Sequence, residues 1–319
     1  MKKIAAVVLI GLCRMAAGAQ PGYPDKGMPS DTPKIFAAGI ISTGLSTRDF
    51  AISPSGDEIL FTIQHPKFIA STIIIIKRTG GKWGKPAVAA FSGVYRDLEP
   101  CFSADGNTLY FSSDRPLAKN KPKSDFDIWK VSKQNNGEWG QPENLGNIVN
   151  SDKNEFYPSV AKNGNLYFTV EAPYGKGSED IVMCKKTGTG YTQPVSLPEG
   201  INTRYDEFNA FIDQDEQFII FSCQGRPDDI GKGDLYISHK NTDGSWQPAH
   251  HLPKPINSSF LDYCPFVSYD KKFFFFTSNR LRKEWYGEDP VTYDQLKSLL
   301  TEPGNGYDSV YWIKFDSDW

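Results

Sequence analysis

Histidine is scarce in this 319-residue chain, which has only His65, His239, His250 and His251. His239 falls in an apolar run and the 250–251 pair in the last segment of a repeat, so His65 alone lies in a long loop. A Ser or Cys nucleophile would need a histidine base beside it, and this scatter argues against a triad. It argues equally against a histidine-rich metal site, and no G-x-S-x-G, H-E-x-x-H or phosphate-loop pattern occurs. No cofactor motif is present either. The five cysteines include no C-x-x-C spacing, which disfavours zinc. No basic run gathers phosphates and the net charge is -3, so nucleic acid is not an expected partner. Long apolar runs are missing as well: residues 4–12 form a stretch of only nine, too short for the roughly 30 Å of a bilayer core.

The N-terminus reads instead as a secretory leader. Lys2 and Lys3 precede the apolar stretch, and Ala16-Ala17-Gly18-Ala19 supplies small residues for cleavage after Ala19. A lipoprotein reading would use Cys13, but Leu12 is large for the position ahead of a lipidated cysteine. The expected product is periplasmic or secreted, with a signal peptide over 1–19, a linker over 20–32 and one folded unit over 33–319. An oxidising compartment permits disulfides; Cys101, Cys184, Cys223 and Cys264 all sit in apolar runs, where pairing and simple burial are both open.

Apolar residues make up 39% of the sequence and aromatics 13%, and 28 Gly with 22 Pro indicate many turns. Laid on itself, the chain repeats. Residues 50–61, 99–115, 157–168, 211–221 and 264–276 each read as an apolar strand, a turn centred on Asp-Gly, Asn-Gly or an equivalent, and a second apolar strand. A third strand follows each at 73–77, 127–131, 180–183, 234–237 and 309–313. A fourth begins near Gly-x-Trp-x-x-Pro, around Trp83, Trp139, Tyr191 and Trp246. Four strands per unit repeated five times predicts a five-bladed β-propeller of antiparallel blades. A two-sheet sandwich would explain the strands but not their constant four-part order.

The last repeat ends after its third strand, while residues 33–42 form an orphan segment. Its Ile40-Ile41-Ser42 echoes Ile201-Asn202-Thr203 and Ile256-Asn257-Ser258. The N-terminal ribbon is therefore expected to complete the fifth blade and remove its open edge, which favours five blades over six. Residues 281–307 are an insertion, in which Thr292 to Gln295 form a capping box ahead of Leu296, Leu299 and Leu300. A short helix with its leucines packed on the blades is predicted there.

Strand alternation sends the Asp-Gly hairpins to one face of the ring and the long loops to the other. Asp97, Glu155, Glu207 and Asp262 share one repeat position, with Thr47 in the first repeat, and are expected at the channel mouth on the long-loop face. Arg115 and Arg280 end second strands on that face, with Arg226 near the matching place, and Arg48, Asp49, Arg96, Glu99 and Asp206 lie beside the acids. Two readings stand for this set. The acids accept backbone N–H groups and pair with the arginines, pinning blade to blade, or they form a polar site for a sugar, a peptide segment or a cation. Phe156, Phe208 and Tyr263 share the next position, suited to core packing or to stacking on a ring. Binding at the mouth by Asp97, Glu155, Glu207, Asp262, Arg115 and Arg280 is the expectation. The alternative is a glycoside hydrolase or lyase working with two ring carboxylates, although a symmetric ring lacks the contrast that separates acid from base.

The pattern P-x-x-S-x-D-G-x-x-L-Y-F-S-S-x-R, followed by D-I-W and G-x-W-x-x-P, occupies residues 100–142 and resembles the TolB-type, WD-like β-propeller repeats of bacterial exported proteins. The resemblance extends over nearly all the chain after residue 33. It implies the propeller fold and, through relatives that serve as protein-binding scaffolds, envelope components or domains of peptidases and carbohydrate-active enzymes, an envelope protein or a glycan as partner of a monomeric chain. The chain shows neither the additional α/β domain nor the sixth blade of TolB, so TolB's own partners are not implied.

Overall fold

The computed structural model describes residues 22–25, 27–118, 125–171, 175–282 and 290–319. The expected leader lies outside them. Five antiparallel sheets form a ring, a five-bladed β-propeller. The inner strands are Thr47–Ile52, Asp97–Phe102, Glu155–Val160, Asp206–Ile212 and Asp262–Val267. Each touches the inner strands of both neighbouring blades, which closes the circle around a central channel.

Middle strands are covered by a blade on either side, so they read as continuous apolar runs rather than alternating ones. Phe273–Ser278 is buried at every residue, as is Leu166–Val170. The core is accordingly split into five principal clusters, one per blade interface, each holding residues of two adjacent blades. The hairpin turns demand a left-handed residue: Gly56 and Gly106 adopt φ of 70°, while blades four and five place Glu216 and Lys271 there at 53° and 54°.

The fourth strand is shorter than its sequence signal. Trp139, Tyr191 and Trp246 each make only a bridge to the third strand of their blade and pack between blades, while the paired segments Glu143–Asn144, Val195–Ser196 and His250–His251 come after the proline. Beyond these two-residue strands a side chain continues the pairing. Asn150, Asn202 and Asn257 each accept from and donate to one residue of the third strand, Ile128, Ile181 and Leu235, with distances of 2.7–3.0 Å.

The ring closes through the N-terminal ribbon. Lys34 pairs with Trp312 and Ile35 with Tyr311, so Lys34–Ile35 is the outer strand of the last blade. Ser42 takes the place of the clamping asparagine, accepting Val310 N at 3.2 Å. In the insertion, the helix Tyr293–Thr301 is capped by Thr292 and Gln295 in both directions. Of its leucines only Leu299 is buried; Leu296 and Leu300 face solvent, because the helix rests on the blades by a single edge. No helix among the described residues is long and apolar enough to cross a membrane.

Candidate binding site at the channel mouth

Three consecutive positions of the inner strand have three different destinations. The first is the acid position. Asp97, Glu155, Glu207 and Asp262 are at most 1% exposed, and their carboxylates turn into the joints between blades. Asp97 accepts Arg115 Nη2 and Ser113 Oγ, each at 2.6 Å, and Ser92 Oγ at 2.8 Å. Glu155 takes Ser151 N, Glu207 takes Thr203 N and Asp262 takes Ser258 N, at 2.7–3.0 Å. Each acid thus caps the loop that brings the chain in from the preceding blade.

The arginines complete these joints. Arg115 also donates to Phe91 O and lies over the rings of Phe111 and Trp129; Arg280 donates to Ile256 O and lies over Phe276 and Tyr311. Arg226 repeats the arrangement with Glu207, Ile201 O, Phe221 and Tyr236. Asp97, Glu207 and Asp262 are thus paired with arginines, and Glu155, Glu207 and Asp262 accept backbone N–H groups. None of Asp97, Glu155, Glu207, Asp262, Arg115 and Arg280 lines the pocket at the channel mouth. The displacement has a backbone cause: pairing register slips two residues further on, so the strand is bulged and the channel-facing position moves along the chain.

Those bulges hold the third position, and it is left-handed in all five blades. Asp49, Glu99, Tyr157, Asn209 and Cys264 have φ of 49–62°, a region that favours glycine and tolerates Asn and Asp. Their side chains form a bonded plug across the channel. Glu99 accepts Arg48 Nη2 at 2.7 Å, Tyr157 N at 2.6 Å, Ser112 Oγ at 3.1 Å and Asn209 Nδ2 at 3.2 Å. Asp49 accepts Arg48 Nε at 2.7 Å and the Cys264 thiol at 2.9 Å. Burial first of all, with Asp49 adding to it, pushes the Glu99 carboxyl up to about 7 against the pull of Arg48.

The second position, between these two, lines a pocket of about 250 Å³ on the long-loop face: Arg48, Leu98, Phe156, Phe208 and Tyr263. Glu99 and Asn209 reach it from the plug, and Gln64, Thr169 and Phe68 add to its wall. Glu179, at the end of the long loop of the third blade, closes one side. Its carboxyl is pushed up to about 7, chiefly by burial and then by the nearby Glu171, Asp206 and Glu99. The repeat had pointed to Arg48, Glu99, Phe156, Phe208 and Tyr263, whereas Glu179, Phe68 and Gln64 come from loops and strand ends that carry no repeat signal. Asp206 and Arg96 are bonded elsewhere, to Ser178 N and to Asp114. Among the described residues no group of three His, Cys, Asp or Glu side chains is placed to hold a metal ion.

Known family profiles do not match the chain, and neither does any curated protein sequence. Solved structures do resemble it in fold. TolB from Acinetobacter baumannii superimposes over 86% of this chain with a TM-score of 0.46 and 12% identity; the chain spans only 55% of TolB. An α-L-arabinofuranosidase from Lactobacillus brevis is similar over 87% of this chain and 93% of its own, with a TM-score of 0.49 and 13% identity. The periplasmic gluconolactonase PpgL of Pseudomonas aeruginosa is similar over 72% and 64%, with a TM-score of 0.43 and 10% identity. At this distance the likeness concerns the propeller fold and does not choose between binding and catalysis.

Proposed function

We propose that the chain is an exported, monomeric binding module of the cell envelope, and that its ligand seats in the pocket at the channel mouth. The observation that carries this reading is the contrast between the faces. Except for Met28, Val88 and Val195, the large apolar side chains exposed among the described residues belong to segments of the long-loop face, including Leu45, Ile69, Val94, Leu117, Tyr293 and Tyr307. Exposed apolar groups gathered on the loops of one face mark a contact surface. Such a face beside an aromatic and polar pocket suits a protein segment better than a glycan. Asp97, Glu155, Glu207, Asp262, Arg115 and Arg280 contribute in this reading by fixing the inner strands that present the pocket. Periplasmic or secreted placement accords with the leader-like N-terminus.

The test compares the native chain with Phe156→Ser/Phe208→Ser in capture from envelope extracts and on glycan arrays. Loss of a specific partner by the variant, at matched folding by circular dichroism, is expected. Equal capture by both would show that the ligand sits elsewhere. A second reading, a carbohydrate-active enzyme, draws on Glu99 and Glu179, two carboxyls on one pocket that both keep protons to about 7. It predicts product release from a polysaccharide that either Glu→Gln change abolishes.

A further inference from the structure

Resting on that reading of the mouth, we propose that the group the pocket receives is a cation: the guanidinium or ammonium of a basic side chain presented by a partner protein. Among the described residues that line the pocket, Arg48 is the only basic one, and its charge is already engaged by Asp49 and Glu99. Glu179 adds a carboxylate to which no described donor is bonded, although the pocket opens directly onto it. Glu171 and Asp206 reinforce its field. A cation favours release of the Glu179 proton, which burial and the acidic neighbours hold to about 7, and then meets that carboxylate at one side and the rings of Phe156 and Phe208 at another, whereas an anion would hold the proton on.

The surroundings favour a protein as the bearer of that cation. Ile69 is 69% exposed, Val94 81% and Leu117 60%, all in loops of the same face. Aliphatic side chains of this kind match apolar residues flanking a lysine or arginine in a docked segment and have little to offer a hydroxyl-covered sugar.

The experiment titrates the purified chain, by calorimetry and saturation-transfer NMR, with the peptide acetyl-Ala-Leu-Arg-Leu-Ala-amide and with its counterpart carrying neutral citrulline for arginine. A desolvated charge-assisted contact predicts at least about tenfold weaker binding of the citrulline peptide. In Glu179→Gln the arginine peptide is expected to fall to the citrulline level. Equal affinity of the two peptides, an unchanged preference in Glu179→Gln, or no binding of either peptide overturns the inference. Stronger binding of a glucosamine oligomer than of the arginine peptide overturns the choice of a protein partner. Phe156→Ser/Phe208→Ser separates the layers of the argument. If it leaves the arginine peptide bound as before, the pocket itself is misplaced; if it abolishes binding while Glu179→Gln does not weaken it, the pocket stands and the cation does not.

Discussion

Replacing Asp262 by alanine distinguishes a frame from a ligand contact. The carboxylate is fully buried and accepts Ser258 N and Ser258 Oγ, each at 2.7 Å, along with Arg280 Nη2. Truncation leaves a guanidinium in the joint with the carbonyls of Pro255 and Ile256, Ser278 Oγ and the faces of Phe276 and Tyr311, but no carboxylate. Removing one member of a buried pair typically costs about 3–5 kcal/mol. Arg280 keeps two carbonyls and some contact with water, so the lower end applies, and the loss of an acceptor for Ser258 N adds about 1 kcal/mol. For a chain of this size each kcal/mol moves the melting temperature by about 2 °C, giving a fall of about 8 °C. Asp262→Asn keeps the shape and an acceptor, and should lose roughly half as much. Scanning calorimetry and urea titration measure the fall, and a binding assay with whichever partner is found runs alongside. A melting temperature unchanged to within about 1 °C, with binding abolished, would refute the assignment of the acids to the blade joints.

Stability should also depend on pH in an unusual direction. Glu99 and Glu179 hold protons up to about 7 in the folded chain, above the ordinary 4.5, so the native state binds more protons than the unfolded state between those values. Stability therefore falls as pH rises through that window, and Glu99→Gln should flatten the fall; a melting temperature that climbs from pH 5 to 7 in the native chain would contradict this. Phe36→Ala should cost about 3–5 kcal/mol in urea titration, because Phe36 is fully buried with the rings of Tyr23, Phe50, Phe275 and Trp312 at 5.0–5.9 Å. The thiols of Cys184, Cys223 and Cys264 are free and buried, and burial pushes Cys184 up to about 12. Ellman's reagent should label these three only after unfolding, and rapid labelling of the native chain would show that the blades open.

The frame was legible because it is repeated. Five hairpins, the third strands and the ribbon that closes the ring each rest on a pattern the sequence states several times, although the clamp that Ser42 shares with Asn202 and Asn257 sits one residue off the match of Ile40-Ile41-Ser42 to Ile201-Asn202-Thr203. The candidate site was legible only in part. Alternation along an ideal strand carries the acids to the channel mouth, but a bulge with a left-handed residue shifts that mouth by one position, and no glycine marks the spot. Asp49, Glu99, Tyr157, Asn209 and Cys264 share a conformation and no chemistry, so sequence comparison between repeats cannot reveal what they have in common. Glu179 was beyond reach for a different reason: it belongs to a loop of one blade and enters the pocket only because five blades close around it.

That difference between repeated and unrepeated chemistry bears on function. Where the joint needs an acceptor the chain supplies Asp or Glu in four blades of five, and where the third strand needs a clamp it supplies Asn or Ser in all five. These positions answer to the fold. The two positions that follow the acid are held just as rigidly by backbone, yet one carries three aromatics with Arg48 and Leu98, and the other two carboxylates with Tyr157, Asn209 and Cys264. A left-handed conformation costs a residue such as Tyr157 or Cys264 about 1–2 kcal/mol that glycine would avoid. Glycine at all five would relieve that strain and empty the channel. Retaining five different side chains there, with Glu99 at the centre of their hydrogen bonds, makes sense if the ring serves as a mount and the asymmetric plug as the part that recognises.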